Sequence, residues 1–113
     1  MEMIWTAWNN GKHHSTGAGY GFKVPIYDRD THFDPSWKYI KLDLPSDFGT
    51  DTVLINVDKP SFWDKTCHEL ISKEIGQWLI KRELAPWEKN DPPKFKVTSV
   101  GKAHFALHDV SGK

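Results

Sequence analysis

The order of hydrophobic periods constrains this chain more than any other feature. Four segments alternate apolar and polar residues, one then repeats at helical spacing, and two more alternating segments close the sequence. Met3, Trp5 and Ala7 lie on one side of the first segment, with Ile4 and Trp8 on the other. This predicts a central strand over Met3 to Trp8, covered on both faces. Tyr20, Phe22, Val24 and Ile26 at spacing two predict a second strand, which Pro25 assigns to an edge or a bulge. Trp37 to Leu44, ended by Pro45, and Thr52 to Asp58 predict two more, joined by turn residues Ser46 to Asp51.

Cys67, Leu70, Ile71, Ile75, Trp78 and Leu79 recur at steps of three and four, opposite Glu69, Lys73, Glu74, Gln77 and Lys81. That pattern predicts one long amphipathic helix, started at Thr66 or Ser61 and stopped by Pro86. Gly76 inside it costs about 1 kcal/mol relative to Ala, and so marks a place where the helix approaches another backbone closely. After the turn-rich Trp87 to Pro93, Lys94 to Val100 and Ala103 to Val110 read as a hairpin about Gly101-Lys102. The order ββββαββ, without βαβ alternation, predicts an α+β fold: a mainly antiparallel sheet or partly closed barrel of about six strands, packed by one long helix. The 113 residues suit a single domain over 1–113, with Ser111 to Lys113 as a frayed tail.

Fifteen Lys and Arg balance fifteen Asp and Glu, which argues against a broad basic face while leaving room for a local patch. Six Trp, six Phe and three Tyr rule out an aromatic-poor disordered chain. No run approaches the roughly 18 to 20 apolar residues that span a bilayer, and the first residues lack a basic start, so neither a membrane anchor nor a signal peptide is expected. The single Cys67 cannot form an internal disulfide, which points to a reducing, cytoplasmic setting.

The richest segment for chemistry is the expected loop from Asn9 to Gly21. Gly11, Gly17, Gly19 and Gly21 let backbone amides turn toward one point, and Lys12, Ser15, Thr16 and a protonated imidazole would complete a cradle for a phosphate or carboxylate. The order of glycine and lysine is not that of a P-loop, and the glycine spacing is not a dinucleotide fingerprint. His13 and His14 offer an acid or base, although neighbours in an extended segment point to opposite sides. Asp28 to Asp34 opens like a calcium loop, but Phe33 stands where glycine is required and Tyr39 where the bidentate Glu is required, so no metal or other cofactor is expected. His104 and His108 share a strand face about 13 Å apart, too far for one ion. His68 reads as an exposed partner of Asp64 one helical turn away.

Trp5 and Trp78 fall on core stripes, while Trp8, Trp37, Trp63 and Trp87 lie at element ends. A nucleic-acid groove would have to use Lys12, Lys23, Arg29, Lys38 and Lys41, which the sequence interleaves with Asp28, Asp30, Asp34 and Asp43. That interleaving ranks nucleic acid below a small anionic ligand or a protein partner. The leading expectation is a small binding module whose ligand or partner surface comprises Trp8, Lys12, His13, His14, Tyr20 and Arg29. The alternative is a small phosphoryl-transfer or RNA-cleaving enzyme using a loop His with Lys12 or Arg29. A third reading makes the aromatics at element ends a homo-oligomer interface.

Overall fold

The computed structural model describes residues 2–47 and 49–108. In chain order it contains β1 (Glu2–Asn9), β2 (Tyr20–Lys23), α1 (Ile26–His32), β3 (Tyr39–Ser46), β4 (Gly49–Asn56), α2 (Pro60–Trp63), β5 (Glu69–Ile71), α3 (Lys73–Lys81), β6 (Lys94–Gly101) and β7 (His104–His108). The described strands form one seven-stranded sheet in the order β4-β3-β7-β6-β1-β2-β5. Every pairing is antiparallel except that of β3 with β7. The sheet is strongly curled into a half-barrel, which brings its two edge strands, β4 and β5, toward each other. Among the described residues no helix is long and apolar enough to cross a membrane. The expected frayed tail, Ser111 to Lys113, lies outside the described residues.

Alternation sorts each strand into a buried and a wet side. Met3, Trp5 and Ala7 of β1 face inward with Phe22, Phe95, Val97, Leu42 and Phe105 of other strands, all buried. An aromatic cluster fills the concavity. Trp5 lies 6.4 Å from Phe22 and 5.6 Å from Phe105, and Phe33, just beyond α1, stacks on Phe105 at 4.8 Å and meets Phe62 of α2 at 5.1 Å. Trp78 of α3 closes over Phe95 from the same side, with ring centroids 5.5 Å apart. Because α1, α2 and α3 all send buried side chains into the concave side, the convex face stays open. Ile4 there is 46% exposed, so β1 is central as expected but covered on one face only.

The single long helix is the main correction. Leu70 and Ile71 fit helical spacing, yet they pair with Phe22 and Gly21 of β2 as the short strand β5. His68 makes that path possible. It adopts a left-handed φ of 63°, its amide donates to the Ser61 carbonyl, and its ring Nδ1 lies against the Val24 carbonyl. It is therefore a buried tie between β2 and β5 and not an exposed partner of Asp64. Ser72 then starts a nine-residue α3, its hydroxyl accepting the Glu74 amide at 3.2 Å. Cys67 sits half-buried just before β5, not on a helix stripe.

The stretch after Val24 is the second correction. Pro25, at φ −55°, precedes α1, so Ile26 and Arg29 are helical and the second strand ends at Lys23. Phe33 carries four ring contacts and is 5% exposed, whereas Tyr27 in the first turn of α1 is 74% exposed. Phe33→Ala should therefore lower stability by about 3 to 5 kcal/mol in urea unfolding, and Tyr27→Ala by under about 0.5 kcal/mol. Equal losses would contradict this assignment of the core.

Candidate functional site

Between β1 and β2 the chain makes the longest irregular excursion before the helices, and the structure anchors it at two places. At its base, the Asn10 amide donates to the Gly19 carbonyl at 3.0 Å, and Asn9 and Asn10 side chains accept the Gly11 and Lys12 amides. At its far side, Gly17 lies against Gly76 of α3, backbone to backbone. A Cβ on Gly76 would sit 2.6 Å from the Gly17 Cα, and one on Gly17 would sit 2.6 Å from the Lys73 carbonyl oxygen and 2.7 Å from the Gln77 nitrogen. Gly17 also has φ +91°, which side-chain-bearing residues rarely adopt. Gln77 Nε2 donates to the Thr16 carbonyl at 3.2 Å and closes the seam. The close approach expected at Gly76 is thus to the glycine-rich loop itself.

This anchoring changes what the loop offers. The amides of Gly11, Lys12, Gly17 and Ala18 all donate to acceptors within the loop, so they are not free to form a backbone anion nest. Side chains remain. Lys12, His13, His14, Ser15 and Thr16 are all exposed on a frame that the glycine contact and the Asn turns hold in place. His13 Nδ1 lies 2.6 Å from the hydroxyl of Tyr20, a residue wholly buried at the start of β2, and the Tyr20 ring meets Trp87 edge-on at 5.7 Å. Tyr20 Oη donates to an unprotonated Nδ1 and accepts from a protonated one, so the pair holds the imidazole in either state. Tyr20 accordingly holds the His13 ring from one step behind the surface.

Trp8 stands at the other side of the loop base, half-buried on the convex face opposite Gly21. Arg29 does not join this group. It is 5% exposed, its Nη1 donates to the carbonyls of Phe62 at 2.8 Å and Asp64 at 2.6 Å, and its guanidinium lies 5.4 Å from the Trp63 ring centre. His13 contacts the first residue of β2 while Arg29 follows the last, so the two lie off opposite ends of that strand. Hydrogen bonds from the Thr66 amide and hydroxyl hold the Asp64 carboxyl below its usual range, helped by nearby Arg29.

The remaining polar groups divide into separate pairs. On the convex face His104 Nε2 lies 2.9 Å from Asp43 Oδ1, close enough for an ion pair though poorly aligned for a hydrogen bond, and Thr52 donates to the same oxygen at 2.7 Å. Burial opposes the charge on Asp43, yet His104 and Thr52 hold its carboxyl below the ordinary range. Asp28 is pushed up by burial, offset by His32 one turn on. Among the described residues no three His, Cys, Asp or Glu side chains gather as a metal site requires. A cleft of about 460 Å³ lies between the β3–β4 hairpin and the end of α3, floored by Trp78, whose Nε1 donates to the Pro45 carbonyl at 2.7 Å. No loop residue lines it. Comparison of the chain with known protein families, characterised proteins and solved structures gives no match.

The sequence reading missed Gln77 and Trp87 as supports of the loop. No linear signal carries them, since each acts across more than sixty residues of chain. One substitution tests the anchoring. Helix propensity alone makes Gly76→Ala stabilising by about 1 kcal/mol. The contact with the Gly17 backbone reverses the sign, and Gly76→Ala should lower the urea midpoint and loosen the loop. A raised midpoint would show that the two backbones do not meet.

Proposed function

We propose that this chain is a small binding module whose 9–21 loop, with Trp8 at its base, holds an anionic group of a small ligand or of a partner protein. One observation carries the reading: Lys12, His13, His14, Ser15 and Thr16 are exposed together on a loop whose backbone is already committed. Such a loop presents donors without first having to be ordered, which is the usual advantage of preorganisation. No Asp or Glu occurs between Asn9 and Gly21, so no carboxylate of the loop itself competes for these donors. The nearest acidic residues in the connector beyond Trp87 are Glu88 and Asp91.

A second reading rests on the His13–Tyr20 pair. An imidazole oriented by a buried hydroxyl is suited to general acid or base work on a phosphodiester, with Lys12 as the neighbouring cation. In that reading Arg29 has no part, because its donors are occupied at the other end of β2.

The test is a titration of the protein with inorganic phosphate and with a short dicarboxylate, followed at the backbone amides of the loop by NMR. The combined variant Lys12→Ala, His13→Ala, His14→Ala should bind at least about tenfold more weakly, given about 1.5 to 3 kcal/mol per hydrogen bond to a charged group. Loss of Lys12 and His14 should each cost no more than about 0.5 kcal/mol of stability, whereas loss of His13, which leaves the buried Tyr20 hydroxyl without that partner, should cost about 1 to 3 kcal/mol. An identical titration of the variant would contradict the proposal.

A further inference from the structure

The sheet register gathers cations that the sequence scatters. Thr6 of β1 lies directly between Lys94 of β6 and Lys23 of β2, and Ile4 lies beside Lys96, which in turn pairs with His108. All six point to the convex face, because their neighbours Met3, Trp5, Ala7, Phe22, Phe95, Val97 and Leu107 are the buried set. Strands about 4.8 Å apart and residues about 3.3 Å apart along them place the three lysines within roughly 12 Å of one another. Lys23 pairs with Glu69 at 3.6 Å, while among the described residues no ion pair holds Lys94 or Lys96. Among the described strand residues, the acids on this face are Glu69, Asp43, held by His104 and Thr52, and Glu2 beyond Ile4. Asp28, Asp30 and Asp34, which the linear sequence places among the cations, belong to α1 and the turn after it.

Trp8 continues the row one step beyond Thr6. Trp5, Trp37, Trp63, Trp78 and Trp87 each pack against another aromatic ring; among the described residues Trp8 alone has none. Beyond it begins the loop with Lys12. The convex face therefore carries a path of Lys96, Ile4, Lys94, Lys23 and Trp8, in which cations lead up to an unstacked indole.

We propose that this path binds single-stranded nucleic acid, with phosphates on Lys94, Lys96 and Lys23 and a base stacked on Trp8. The inference concerns the convex face and does not rest on the reading of the loop as an anion site. A single strand fits better than a duplex because a broad convex sheet cannot enter a groove as a helix or narrow ribbon does. It fits better than an acidic peptide because only a base offers the indole a flat partner.

Anisotropy of a fluorescein-labelled twelve-nucleotide thymidine strand tests the assignment with the full chain. Three neutralised phosphates, at about 0.7 power of salt each, predict that affinity falls about 20-fold between 50 and 200 mM salt. Lys94→Glu with Lys96→Glu, both exposed and so expected to fold, should abolish binding at 100 mM salt and leave the phosphate titration of the loop unchanged. Trp8→Leu should weaken the oligonucleotide at least about fivefold and leave a glutamate peptide of equal charge unaffected. Should the strand fail to bind while phosphate still titrates the loop, the inference is overturned and the loop reading stands. Failure of both ligands removes both. Equal affinity for the glutamate peptide and the strand, with Trp8→Leu weakening neither, would assign the face to an acidic protein and overturn the inference as well.

Discussion

The backbone contact between Gly17 and Gly76 is the constraint on which the rest of this surface depends. Two segments of the backbone meet there with no side chain between them, so the loop leaving β1 is held against α3 instead of spreading into solvent. That contact sets the height of the loop above the sheet, and with it the exposure of Lys12 to Thr16. The same helix seals the concave core through Trp78 and Phe95. Core closure and loop position are therefore linked through one nine-residue helix. This is why a glycine that weakens the helix by propensity stands in its middle.

The half-barrel has a consequence for where chemistry can sit. Its helices and its aromatic cluster all occupy the concave side, leaving the convex face without a covering layer. A sheet open on one side usually alternates apolar and polar residues, and β6 does so cleanly with Phe95 and Val97 inside and Lys94 and Lys96 outside. The convex face and the loop meet at Trp8. The polar groups elsewhere are tied to one another, with Arg29 on backbone carbonyls and His68 on Val24, so they read as structure.

Much of the sheet was legible in the sequence because period-two alternation survives in each strand. Tyr20, Phe22 and Val24 are buried as their spacing implies, and Ile40, Leu42 and Leu44 likewise. Gly76 announced a close approach by its cost, although not the identity of its partner. The segment from Cys67 to Ile71 misled, because Leu70 and Ile71 satisfy a helical and an extended pattern equally and only His68's left-handed backbone separates them. Arg29 reads as a cation flanking the loop, yet it is turned away because the residues after Pro25 form α1, which nothing local shows. The lysine patch was illegible for a deeper reason. Lys23 and Lys94 are seventy-one positions apart, and only strand order makes them flank Thr6.

The claim that the loop is a fixed platform is open to direct measurement by native-state amide exchange. The account predicts that the amides of Gly11, Lys12, Gly17 and Ala18 exchange far more slowly than in an unstructured peptide, and that Gly17 exchanges with the same opening free energy as the core of α3. Exchange of these amides at unstructured-chain rates, with α3 still protected, would contradict it.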